Sequence, residues 1–127
     1  MYRIAKSFHF SASHTLSLPP PHPCSRLHGH NYVVEVVLET ERLDLRGFVV
    51  DYGELKQLRD FVDSTYDHRH LNDVVPFEPT AENLAEEIFR FAKSRWPQTV
   101  RVRLSETPAT WAEFEGSEPT PTREDAV

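Results

Sequence analysis

Cysteine occurs once in the 127 residues, at Cys24, so the chain can close no internal disulfide, and a reducing compartment is the expected setting. Long apolar runs are missing as well. The opening Met1-Tyr2-Arg3-Ile4-Ala5-Lys6 has neither the length nor the hydropathy of a signal segment or a membrane span, which makes the cytoplasm the expected location. Positive charge is scarce. Lys and Arg total 14 against 20 Asp and Glu, and the net charge of −6 gives no reason to expect nucleic acid or an anionic membrane as a partner. An anionic small molecule would have to be met by a local basic patch. Internal repeats are absent, and low complexity is confined to Pro19-Pro20-Pro21 and to residues 116–127, a polar, acidic stretch with two prolines that is expected to be a disordered tail. The remainder, 1–115, is long enough for one domain and one core but not for a second substrate-binding module. A catalytic site, if present, would be shallow or shared between subunits. The 39% apolar and 27% charged content is that of a soluble globular protein.

What is there divides into alternating and helical patterns. Phe8, Phe10, Ala12 and His14 share one parity against Ser7, His9, Ser11 and Ser13, and Tyr32, Val34, Val36 and Leu38 repeat this over 31–40 against Glu35 and Glu39. Two strands in a long hairpin are expected, with the prolines and Cys24 in a wide connecting loop. Residues 47–51 form a short apolar link. Asp51 with Glu54 then has the spacing of a capping box ahead of the stripe Leu55, Leu58 and Val62. A loop over 65–78 leads to Pro79-Thr80 and a second helix carrying Leu84, Ile88 and Phe91, which Pro97 ends. Val100, Val102 and Leu104 alternate with Arg101 and Arg103, and 110–115 forms a last strand across Thr107-Pro108-Ala109. The order ββααββ predicts an α+β domain with two helices on one face of a four-stranded antiparallel sheet.

The chemistry-bearing residues cluster in CSRLHGHNY, residues 24–32. If that segment is extended, His28 and His30 project from one face and can share an ion, and the hairpin brings His14 beside them as a third nitrogen. Three neutral imidazoles are the usual protein share of a catalytic zinc, although HxH also occurs by chance. His9, on the opposite parity, and His22, in the proline loop, read as solvated or packing side chains, and His70 is ambiguous. Cys24 could be a small buried hydrophobe, a thiolate base beside a cation, or a fourth ligand that closes the site, and its spacing alone does not decide. Asp67-His68 could be a carboxylate orienting an imidazole for acid-base work or a polar helix-ending loop. The Glu106 carboxylate could grip an amidine-like heterocycle edge through two parallel hydrogen bonds or face solvent.

Together FHFSASH, CSRLHGHNY, VVDYGELK, DHRHLND, PTAENLA and SET, in this order from Phe8 to Phe114, resemble the family of 6-pyruvoyl-tetrahydropterin and 6-carboxytetrahydropterin synthases. The resemblance implies the tunnelling fold: ββααββ subunits whose sheets join edge to edge in a trimeric barrel, usually as a dimer of trimers, with active sites at subunit interfaces. It also implies Zn2+ on His14, His28 and His30, Cys24 as catalytic base, Asp67 and His68 as its acid-base partners, and Glu106 as anchor of the pterin ring. Thr107 and Arg26 would be further substrate contacts, with Arg69 and Lys6 the other basic residues near the motifs.

The short Cys-x-x-x-His-x-His interval resembles the bacterial carboxy-forming branch, which implies conversion of 7,8-dihydroneopterin triphosphate to 6-carboxytetrahydropterin, acetaldehyde and triphosphate on the queuosine and preQ0 deazapurine route. A pyruvoyl-type or dihydroneopterin-cleaving enzyme on the same scaffold, and a non-catalytic zinc or pterin-binding module, are the rival readings. Three features depart from the family pattern: Tyr66 in place of a common leucine, Ser105 in place of a common lysine, and the proline run before Cys24.

Overall fold

The computed structural model describes residues 1–19 and 21–116. Two 13-residue strands, β1 (Tyr2–His14) and β2 (His28–Thr40), form the expected hairpin, and α1 (Lys56–Thr65), β3 (Arg69–His70), α2 (Leu71–Val74), α3 (Ala81–Arg95), β4 (Thr99–Thr107) and β5 (Thr110–Glu115) follow. The sheet has five strands in the order β3-β1-β2-β4-β5. It is antiparallel except for β3, which runs parallel to β1 through Ala12 opposite Arg69 and Ser13 opposite His70. The four-stranded, wholly antiparallel expectation is therefore corrected: the stretch 65–78 contains a two-residue edge strand and a one-turn helix. Two residues are too few to show a period. Their pairing depends on the backbone of His68, whose N–H donates to Ser11 O at 2.7 Å.

The core lies on one face of the sheet because the alternation is strict. Phe8, Phe10, Ala12 and His14 on β1, Tyr32, Val34, Val36 and Leu38 on β2, and Val102 and Leu104 on β4 are all buried. Against them pack Leu55, Leu58 and Val62 from the α1 region and Leu84, Ala85, Ile88, Phe89 and Ala92 from α3. Phe10 and Tyr32, directly opposite in register, stack with centroids 4.6 Å apart, the kind of cross-strand aromatic pair that stabilises a sheet. At the start of α3, Thr80 Oγ1 accepts from Asn83 N–H at 3.2 Å, as its position after Pro79 predicts.

Three boundaries differ from the sequence reading. β2 begins at His28 rather than residue 31, which makes the HGH segment extended. Asp51 caps a 3-10 turn, Tyr52–Leu55, accepting from Gly53 N–H at 2.9 Å, and α1 starts only after that turn. Gly116, counted with the tail, donates its N–H to Val100 O at 3.0 Å. The rest of the expected tail, 117–127, lies outside the described residues. No helix of the described residues is long and apolar enough to cross a membrane.

Gly47 adopts φ +87° in the turn where Asp44 Oδ1 accepts from Arg46 and Phe48 N–H. A Cβ there meets no atom within 4 Å, so Gly47→Ala carries conformational strain alone. It is expected to cost about 1 kcal/mol, read by calorimetry as a Tm lower by about 4 °C.

Candidate metal and acid-base site

The hairpin register builds the centre of the site. His14 lies opposite His28, and His30 opposite Ala12, whose small side chain leaves room for a ring. Alternation sends all three imidazoles to the helix-covered face. Their donor atoms lie within 4.8 Å of one another, and the rings meet edge to face, with centroids 4.5 Å (His14 to His28), 5.1 Å (His14 to His30) and 4.9 Å (His28 to His30) apart. Tyr32 forms the floor, 5.4 Å from the His30 ring.

Main-chain carbonyls set the tautomers. His14 Nδ1 donates to Pro79 O at 2.7 Å, and His28 Nδ1 donates to Arg26 O at 2.7 Å. With a proton held there, the Nε2 atoms of both rings turn inward, 2.9 Å apart, where their lone pairs are available to a cation. His30 Nε2 is buried and makes no hydrogen bond among the described residues. Glu106 Oε2 comes within 3.0 Å of it, but as a poorly aligned ion-pair contact, and lies 3.6 Å from His14 Nε2. Burial holds the His30 pKa below its ordinary value against the opposing pull of Glu106, and His14 and His28 push it the same way as burial. Three neutral nitrogens of this kind fit a divalent metal such as zinc. Burial also raises the Tyr32 pKa, with Glu106 adding to the effect, so the floor is a neutral phenol.

Asp67 and His68 do touch. Asp67 Oδ2 lies 2.9 Å from His68 Nδ1, and Asp67 Oδ1 accepts from Ser11 N–H at 2.9 Å. His68 sits at φ +58°, uncommon for a residue with a side chain, and its ring is 84% exposed. His68 lines a cleft of about 450 Å³ together with His30, Arg69, Ser11 and Asn31; His14, His28 and Asp67 are not among its lining residues. The Ser11 N–H, chiefly, and His68 draw the Asp67 pKa below its ordinary 3.8. A depressed carboxylate contributes stability that is complete above the ordinary value and is lost as pH falls through the folded value. In denaturation series run downward from about pH 5, wild type should therefore lose more stability than Asp67→Asn.

Cys24 is half-buried in the 3-10 turn Pro23–Ser25, and its sulfur is not among the converging donors. Glu106 lines a cleft of about 300 Å³ with Ala81, Glu82 and Trp111, so its carboxylate stands between that cleft and the histidines. Thr107 Oγ1 is engaged in the β4–β5 turn, 2.8 Å from Thr110 Oγ1 and accepting from Ala109 N–H. Arg26 is exposed, and its contribution to the centre is its carbonyl. Lys6 lies in a separate cleft of about 660 Å³ with Lys56, Arg59 and Asp67. His70 Nδ1 lies 3.0 Å from Ser13 Oγ, and His9 is remote from the centre by its parity. Sequence reasoning missed the orienting groups: Pro79 O, Arg26 O and the Ser11 main chain. All are backbone atoms, which leave no mark in residue type.

A helix-covered sheet with three histidines gathered at the open end of its long hairpin is the tunnelling fold. A solved structure of Caenorhabditis elegans 6-pyruvoyl tetrahydropterin synthase superposes with a TM-score of 0.80 at 31% identity, covering 91% of this chain and 96% of that one. The family model described as 6-pyruvoyl tetrahydropterin synthase matches residues 3–117, and the chain belongs to this family of enzymes. Among its relatives are a Bacillus subtilis 6-carboxy-5,6,7,8-tetrahydropterin synthase, 32% identical over 89% of this chain and 84% of that protein, and a Pyrococcus furiosus dihydroneopterin monophosphate aldolase, 34% identical over 80% and 83%.

Proposed function

We propose that the chain is a zinc-dependent 6-carboxy-5,6,7,8-tetrahydropterin synthase. It would convert 7,8-dihydroneopterin triphosphate, with uptake of water, to 6-carboxytetrahydropterin, acetaldehyde and triphosphate for the queuosine and deazapurine route. The observation that carries the reading is the convergence of His14, His28 and His30, whose donor atoms lie within 4.8 Å of one another in a chain of this family. The short interval from Cys24 to His28 and the likeness to the Bacillus subtilis enzyme support the carboxy-forming branch.

His14, His28 and His30 would hold the zinc, which when bound supplies a Lewis acid that makes the adjacent side-chain carbon of the pterin more acidic. The Cys24 thiolate takes the proton from that carbon, and His68, its tautomer fixed by Asp67, moves protons at the next. Glu106 accepts from the amidine-like edge of the ring, with Thr107 at the same strand end. Arg69, beside His68, and Arg26 would be the cations that meet the phosphates. Beyond its pairing with β3 at Ala12 and Ser13, β1 has one unpaired edge, and the outer edge of β5 is unpaired among the described residues. These edges support assembly into a trimer or a dimer of trimers.

Product analysis by mass spectrometry tests the reading. Dihydroneopterin triphosphate should yield 6-carboxytetrahydropterin with stoichiometric acetaldehyde. A pyruvoyl pterin without acetaldehyde would sink the branch assignment, and turnover of the monophosphate alone would favour the activity named for the Pyrococcus furiosus relative.

A further inference from the structure

Pro23, directly before Cys24, shapes the turn on which Cys24 stands. Pro23 pushes the residue before it out of helical backbone, and His22 accordingly lies at φ −56°, ψ 129°. Pro23 then opens the 3-10 turn, where its missing N–H forfeits no bond. The next N–H is that of Cys24, and His22 Nδ1 accepts it at 3.1 Å. The same turn is closed on both sides: Ser25 N–H and Oγ donate to His22 O at 3.0 and 2.7 Å, and His22 N–H donates to Pro19 O at 3.1 Å. Leu16 N–H donates to Cys24 O at 2.9 Å, tying the turn back to the chain leaving β1. A cap of this kind is ordinarily Ser, Thr, Asp or Asn. Here it is an imidazole, and the ring makes no other hydrogen bond among the described residues.

We propose that His22 is a positioning residue for Cys24: by holding the Cys24 N–H it fixes the backbone at that residue, and with it the direction in which the thiol leaves the chain. The proposal rests on Cys24 acting as the base. Misplacing a reacting group by about 1 Å can slow a step by about a hundredfold, so a weak bond at the root of the side chain has leverage on turnover.

The test compares His22→Ala, which removes the acceptor, with His22→Asn, whose Oδ1 reaches the same N–H two residues on. Loss of the cap is expected to lower kcat roughly five- to tenfold with little change in KM, and to speed deuterium exchange at the Cys24 amide by a similar factor. Asparagine should restore both to within about twofold. Wild-type turnover in His22→Ala, a loss confined to KM, or an asparagine variant that behaves like alanine would each overturn the proposal. Cys24→Ala keeps its N–H and hence the cap. Full turnover in that variant overturns the base reading, and the proposal with it, even where the exchange difference persists. An inactive Cys24→Ala beside a fully active His22→Ala overturns the positioning role alone.

Discussion

Cys24→Ala is expected to bind zinc as wild type does, one ion per chain, and to turn over about a thousandfold more slowly. The two halves of that result separate the roles open to this thiol. A fourth ligand would be pulled into the cluster, yet among the described residues the converging group is His14, His28 and His30, and the sulfur stands on a separate turn whose peptide groups bond to His22 and Leu16. Removing it therefore leaves the metal's protein ligands intact. What would go is the group proposed to take a proton from carbon, a step for which neither Asp67, held by Ser11, nor Glu106, set against His30, is a substitute. Metal content by atomic emission and product formation by chromatography read the two halves. Zinc lost together with activity would mean that Cys24 is a ligand and that the non-catalytic rival has gained ground.

His28→Ala should have the opposite profile, with no stoichiometric zinc after desalting and turnover below about one thousandth of wild type. His28 is the ligand to choose because His14 is fully buried and tied to Pro79, so that its loss would disturb packing as well as coordination. A calorimetric comparison makes the prediction sharper. Free zinc at a thousand times Kd should stabilise wild type by about 4 kcal/mol and leave the variant unmoved. Equal stabilisation of both proteins by zinc would place the metal elsewhere.

Much of this was legible in the sequence because alternation is a strong signal when one face is buried. The even positions from Phe8 to His14 and from Tyr32 to Leu38 are buried as read, and that parity also puts the three histidines on one face. The proximity of His14 needed only the hairpin. What stayed hidden is built from main chain or from single bonds. β3 has two residues, and the left-handed backbone of His68 follows from pairing with Ser11 rather than from residue type. The Asp51 capping box was displaced because the first turn after it is 3-10, with Asp51 Oδ1 bonded two residues on. His22, read as a solvated or packing side chain, is exposed, but its bond to Cys24 N–H left no signal because imidazole is an unusual cap. Tyr66, the departure from leucine, is fully buried against Phe10 and Phe61, and its hydroxyl donates to Glu87 on α3. Here a polar tip is accommodated by a partner more than one helix away in sequence.

Ser11 holds Asp67 and His68 through its peptide groups alone: its N–H binds the Asp67 carboxylate and its carbonyl receives the N–H of His68. Every amino acid but proline carries that same donor and acceptor. Position 11 can therefore drift in side chain over generations without the clamp being lost, and its importance would be invisible to any comparison that scores residue identity. Transplanting the site to another scaffold would, by the same reasoning, mean copying a stretch of strand edge rather than a set of side chains.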